Sequence, residues 1–350
     1  MADQDQLTSG NFELYLNGSQ FSKDLLSAVE GITFEDELNL PSMCTIKFNM
    51  IDFIGGAWRG VDLKTFKVGD VLKVVMGMDS LVEMNTCEIV SLDFTFGESS
   101  FMDIRGYDRM HRLRFGKKRR SFKDMKDSDI ASSIASELSL TPQVEDTGTV
   151  QSYVFQNNQS NYDFLLERAK RIGYEMLVDD KTFKFQRSQE DKKPVLTLEY
   201  GIDLQKFSAQ IKTLTEGSEV EVRGWNIKDK EEITSTATKG SETTKMSGKE
   251  SGYEISEKAF KGSSVSVVDD MIKDPKDAEN VAKARYNTIL KEFLTGEGQC
   301  NGIPEIRAGK TMEIKGLGER LSGIYYVVST VHSINEEGYT TSFKVRRSGI

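Results

Sequence analysis

The chain has 350 residues, room for two or three domains, and a formal net charge of -9. That acidity disfavours general affinity for nucleic acid or anionic membranes. Its three cysteines (Cys44, Cys87 and Cys300) form no CxxC pair, and its two histidines are too few for a three-histidine metal centre, so neither a zinc site nor a disulfide framework is expected.

The opening MADQDQLTSG is acidic and polar, without the basic-then-apolar order of a signal peptide. No run approaches the ~18 apolar residues of a membrane span. Synthesis in a reducing cytoplasm, with no membrane partner, is the expectation.

From Asn11 to about Lys117 the pattern is that of strands. Phe12, Leu14 and Leu16 alternate, as do Cys44, Ile46 and Phe48, and Val90, Leu92, Phe94 and Phe96. Each set has the period of two of a half-buried strand. Val71–Met76 is a more continuous apolar run. Frequent glycine and acidic turns between short strands point to a closed or sandwiched β domain. The segment 55–60 (GGAWRG) reads as a loop and lacks the GxxxxGK[ST] order of a phosphate cradle.

Lys117, Lys118, Arg119 and Arg120 form a run of four basic residues. It is a possible partner-contact patch for phosphate or an acidic surface, and equally a solvated loop or one side of intersubunit pairing. Asp127-Ser128-Asp129 can cap a helix carrying Ile130, Ala131, Ile134, Ala135 and Leu138, which Thr141-Pro142 stops. A second helix follows a strand near Tyr153. Ser160 caps it, Asp163 three residues on gives an approximate capping box, and Leu165, Ala169 and Ile172 share a face. Gly173 ends it, and Tyr174–Val178 and Thr182–Gln186 make a hairpin.

Ile202–Leu214 and Val220–Lys228 return to strand character, with Trp225 expected in a core or a subunit seam. From Glu231 to Gly252 only Ile233, Ala237 and Met246 are apolar, which predicts a mobile loop or insertion. Asp274-Pro275 starts a helix with Ala278, Ala282, Tyr286, Ile289 and Phe293 on one face, ending near Gly296. Three strands with glycine turns close the chain, the last placing Tyr339, Thr341, Phe343 and Val345 together.

Chemistry is scarce. His111 and His332 are the only histidines, neither near a GxSxG elbow, and His332 inside an apolar strand reads as a core or seam residue rather than a base. Carboxylates are plentiful, so a pair suited to glycoside hydrolysis stays open on counting alone.

Three segments resemble one family. They are the run from Gln156 through Tyr162-Asp163-Phe164-Leu165 to Gly173-Tyr174; Asp103-Ile104-Arg105-Gly106-Tyr107-Asp108 with His111-Arg112-Leu113; and Gly302–Gly309, Gly316-Leu317-Gly318, Ser322-Gly323, His332 and Gly338-Tyr339 through Phe343. Their order resembles the phage late control protein D family, which includes tail hub proteins of contractile phages and the hub part of the type VI secretion spike VgrG. The resemblance implies structural roles for Gly106, Asp108, Gln156, Phe164, Leu165, Gly173, Gly309, Gly316, Gly323, His332, Tyr339 and Phe343.

It also implies an α+β, mainly β fold. Two tube-protein-like β-barrels (1–120, and 201–230 with 295–350) flank an α+β middle domain (121–200), with a polar loop and helix inserted at 231–294. The implied function is a non-enzymatic baseplate hub, with no cofactor and no sequence-specific nucleic acid. It would be a homotrimer that adapts a hexameric inner tube to a spike among other baseplate proteins, resident in a phage or phage-like particle. Since no needle repeat follows Ile350, the spike is expected on a separate chain. A tail-tip peptidoglycan hydrolase and a receptor-binding tail protein are the alternatives.

Overall fold

The structure, a computed structural model, describes residues 10–52, 57–58, 64–97, 99–214, 219–226, 230–260, 264–268, 272 and 274–350. The N-terminal tail and most of the glycine-rich 55–60 segment lie outside them.

The first half contains β1 (Asn11–Leu16), β2 (Ser19–Gln20), α1 (Lys23–Ser27), β3 (Val29–Glu37), β4 (Met43–Asn49), β5 (Ile51–Asp52), β6 (Ala57–Trp58), β7 (Val71–Gly77), β8 (Val82–Thr95) and β9 (Phe101–Tyr107). A 3-10 turn over Arg109–Arg114 leads to β10 (Lys118–Lys126), α2 (Asp127–Glu137), β11 (Thr141–Val144), β12 (Val150–Gln159), α3 (Asn161–Ile172), β13 (Tyr174–Asp179) and β14 (Thr182–Arg187). Then come β15 (Thr197–Glu199), β16 (Leu204–Ile211), β17 (Glu219–Asn226), β18 (Glu231–Ala237), α4 (Gly252–Ala259), β19 (Ser264–Val268), α5 (Pro275–Leu290), β20 (Leu294–Asn301), β21 (Thr311–Lys315), α6 (Gly318–Leu321), β22 (Gly323–Asn335) and β23 (Gly338–Arg347). The fold is α+β and mainly β, as expected.

One 13-stranded sheet runs β16-β20-β23-β22-β3-β4-β9-β8-β7-β1-β2, with β21 on β22 and β15 on β21. The two halves are therefore joined edge to edge, where β22 pairs antiparallel with β3 from Ser329↔Glu37 to Ile334↔Ile32. The first half also curls back on that seam: a Cβ on Gly10 would lie 2.4 Å from Tyr339 Cβ. Leu14, Phe34, Ile46, Phe48 and Ile104 fill its interior, together with Ile334 and Tyr339 from the last two strands. A second apolar cluster lies in the middle segment and a third around Tyr286, Phe293, Tyr325 and Phe343.

Local signals account for the helices. The Ser160 side chain accepts from Asp163 N at 3.0 Å and donates to the Asp163 carboxylate at 2.6 Å, and Gly173 closes α3 at φ 72. Asp274 caps α5, with Pro275 at its first turn. In α2 the cap differs from expectation. Lys126 is the capping residue, Asp129 accepts its backbone N–H at 3.1 Å, and Asp127 turns inward to a buried arginine.

Four other expectations are corrected. The 231–252 stretch is less of a loop than its composition predicts, because Glu231–Ala237 is a strand and its three apolar residues Ile233, Ala237 and Met246 are all buried. Val220–Asn226 does not join the large sheet; β17 pairs with β18 and β19 in a separate three-stranded sheet backed by α5. The α5 helix ends at Leu290, and Gly296 lies in β20, where a Cβ would sit 2.7 Å from the Phe207 ring. The β8 alternation breaks at a bulge between Ile89 and Ser91, leaving Phe94 40% and Phe96 62% exposed.

Candidate assembly interface

Long-range ion pairs lock the middle segment between the two halves. Arg307, beside the last three strands, pairs with Asp36 of β3 and donates to Met84 O of β8 at 2.5 Å. Arg346 of β23 donates to Glu175 of β13 at 2.9 Å and to Glu190 at 2.8 Å, and Tyr326 OH adds a 2.6 Å bond to Glu175. Arg171 of α3 grips Asp277 of α5 at 2.7 and 2.5 Å, joined there by Gln151 at 3.2 Å. Inside the middle segment Arg168 takes both oxygens of Asp127, at 2.6 and 3.0 Å. Removing either member of such a pair leaves an uncompensated charge in a poorly hydrated place.

Asp108 caps the 3-10 turn at the same junction. Its two oxygens accept from Met110 N and Ser42 N, both at 2.8 Å, and burial pushes its carboxyl up to about 7. Beside it Arg112 binds Glu88 at 2.9 Å, and Arg109 bridges Glu88 and Asp180. A cleft of about 370 Å³ opens here, lined among others by Asp36, Glu37, Asp108, Lys192, Arg307 and Lys310. Neither Asp36 nor Asp108 presents a free oxygen pair to it. Among the described residues no group of three His, Cys, Asp or Glu could hold a metal ion.

The positions singled out by the resemblance do not converge on one site. Gly106 lets β9 approach β8, since a Cβ would lie 3.0 Å from Cys87 Cβ. Gln156, fully buried on β12, accepts from Arg120 Nε at 2.9 Å and donates to Gln159 O and Asn161 Oδ1, both at 3.1 Å. Phe164 stacks on Phe122 at 5.7 Å, and Leu165 is buried beside it. The Gly173 turn leaves only the space that Ala284 of α5 requires. Gly309 and Gly316 occupy turns against Leu177 and Tyr200, and Gly323 lies under Arg347. Phe343 fills the space above Gly298, where a Cβ would lie 2.4 Å from its ring.

His332 sits on β22 at the seam, opposite Phe34 of β3. Its Nε2 donates to Ile306 O at 2.9 Å, which leaves Nδ1 to accept from Tyr339 OH at 3.0 Å and Thr341 Oγ1 at 3.1 Å. Burial lowers its pKa to about 4, so it is neutral at physiological pH. Both of its ring nitrogens are satisfied within the chain.

The basic run is divided by the strand it belongs to. Lys118 and Arg120 reach Glu137 of α2 at 2.8 and 2.5 Å, on the covered side of β10. Lys117 and Arg119 are exposed, and Arg119 lies over the Phe155 ring at 5.8 Å. Trp225 is 55% exposed on β17, so it is not a core residue of this chain. Sequence reasoning missed Arg307, Arg346, Glu175 and Asp277, whose partners are more than a hundred residues away and leave no local signal.

A family model described as the Alg8 N-terminal domain matches residues 7–336. The chain belongs to that family. Its fold is that of solved phage tail proteins. The 43 kDa tail protein of prophage MuSo2 from Shewanella oneidensis superposes with a TM-score of 0.73 at 13% identity, covering 97% of this chain and 98% of that one. A tail protein from Neisseria meningitidis MC58 gives 0.71 at 11% identity, covering 97% of each chain. An E. coli protein described as a component of the type VI secretion system, with structural similarity to the T4 tail proteins gp27 and gp5, gives 0.61 at 11% identity over 96% of this chain and 77% of its own. No curated protein matches. The tail-protein fold implied by the sequence resemblance is thus the fold of this Alg8 N-terminal domain family member. Among its described residues no helix is long and apolar enough to cross a membrane.

Proposed function

We propose that this chain is a structural baseplate hub of a contractile tail or injection particle. In this reading it is a homotrimer that seats a hexameric inner tube on one side and a trimeric spike on the other, among other baseplate proteins. The observation that carries it is the joining of two curled, mainly β halves into one 13-stranded sheet, in a fold shared with phage tail proteins. Two comparable halves in each of three copies give six similar lobes from a three-fold object, which matches a hexamer to a trimer by closed symmetry. The long-range ion pairs hold the halves at a fixed angle, as such an adaptor requires. The domain division, with Glu219–Asn226 moved from the second barrel to the inserted region, and the structural positions read from the sequence belong to this proposal.

A tail-tip hydrolase would need two available carboxylates flanking a substrate. In the junction cleft Asp36 is held by Arg307, and both Asp108 oxygens accept backbone amides. The passive hub is therefore the better reading. Its test is to mix the purified chain with the tube and spike proteins of the same particle and image the product. A three-fold ring with six similar lobes, bound to both partners, is expected. A chain that binds neither, or that clears peptidoglycan in a zymogram, would overturn it.

A further inference from the structure

Among the described residues, two of the sheet faces without a covering layer carry opposite charge. The first is the outer face of the β10–β12 ribbon, whose inner side packs Phe122 and Val154 into the middle core. Outward point Arg119, Ser121 and Lys123, paired in register with Asn157, Phe155 and Tyr153. Tyr153 is 47% exposed and stacks on Phe155 at 6.4 Å. Lys117, Arg119 and Lys123 have no ion-pair partner among the described residues, and Asp124 is the single acid in β10. A two-stranded ribbon is marginal unless something packs against it, and here one side is bare.

The second face belongs to the β17–β18–β19 sheet. Val220, Val222, Ile233 and Ala237 turn inward toward α5, while Glu219, Glu221, Arg223 and Trp225 point out beside Glu232, Thr234 and Thr236. Arg223 lies 3.0 Å from Glu221 and 3.6 Å from Glu232, so it is shared between two glutamates, and with Glu219 the face stays net acidic. An exposed tryptophan within a charged rim is the composition of an interface centre.

We propose that the ribbon face of one copy packs on the three-stranded sheet face of the next. This inference rests on the trimeric hub reading and specifies its contact. Lys123 and Tyr153 would meet Glu232 and Trp225, while Arg119 meets Glu219 and Glu221. Same-face residues four apart along a strand are separated by about 13 Å, so the two charge centres on each face are matched in spacing. Each face repels its own copy, which rules out a two-fold contact and favours the head-to-tail arrangement that closes a ring.

The test uses the full chain. With Tyr153→Cys and Trp225→Cys together, mild oxidation is expected to give covalent trimers. A mixture of the two single variants is expected to give nothing above a covalent dimer. The native thiols Cys44, Cys87 and Cys300 are buried and do not compete. Arg119→Glu with Lys123→Glu is expected to weaken self-association at least about a hundredfold, and adding Glu219→Lys with Glu232→Lys to restore most of it. Full-strength trimers in the Arg119→Glu, Lys123→Glu variant, or trimers of the Tyr153→Cys, Trp225→Cys variant that never cross-link, would overturn the contact while leaving the hub standing. A wild-type chain that stays monomeric at high concentration, both alone and with the spike protein added, would overturn both.

Discussion

The charges at the junction and those on the ribbon face are of the same chemical kind and do opposite work. Arg307, Arg346 and Arg171 each hold a carboxylate from a remote part of the chain. Lys117, Arg119 and Lys123 hold none among the described residues, although they belong to the most basic stretch of an acidic protein. Inside, ionic contacts fix how the halves meet. Outside, on the face proposed as the contact, similar groups have no ionic partner among the described residues.

The sharpest way to break that contrast is Arg346→Ala, which strands Glu175 and Glu190 in a buried place. A loss of about 3–5 kcal/mol in denaturant unfolding is expected. A loss below about 1 kcal/mol would mean the junction is not a clamp.

Next in size are two opposing pH effects. Asp108 keeps its proton in the folded state up to about 7, against an ordinary value of 3.8, so it costs stability as pH rises between those values. His332 stays neutral in the folded state down to about 4, against 6.5, so its contribution is complete above 6.5 and is lost as pH falls toward 4. The shifts amount to at most about 4–5 kcal/mol for Asp108 and about 3–4 kcal/mol for His332, and they largely offset each other between pH 4 and 6.5. Relative to wild type, Asp108→Asn should make stability rise with pH across that window, and His332→Gln should make it fall. Parallel curves for all three proteins would remove both assignments.

Smaller still is the difference within the basic run. Arg120→Ala loses contacts with Gln156, Asn161 and Glu137, and should cost about 1–3 kcal/mol. Lys117→Ala should cost less than about 0.5 kcal/mol. Lys123→Glu should leave unfolding equally unchanged while weakening self-association, which separates an open face from a clamp within a single variant.

What the sequence made legible was local. Ser160, Gly173 and Asp274-Pro275 mark helix ends because a cap acts over a few residues, and the Tyr339, Thr341, Phe343 and Val345 alternation survives because β23 is buried along one face. What stayed hidden was distant or context-bound. Asp36 and Arg307 are 271 residues apart, so no pattern announces their pairing. Ile233 and Ala237 are too few to signal a strand, yet α5 gives both a surface to pack on. Phe94 and Phe96 alternate like core residues but lie beyond the bulge, where β8 runs past its own core. The candidate assembly surfaces were half visible: the basic run could be read, but not which of its members the strand would turn outward.

The central claim is that three copies of this chain form the adaptor, and the native mass of the purified protein tests it most directly. A species of three times 39.3 kDa, about 118 kDa, is expected, either alone or once the spike protein is added. A species that remains at 39.3 kDa under both conditions would contradict it.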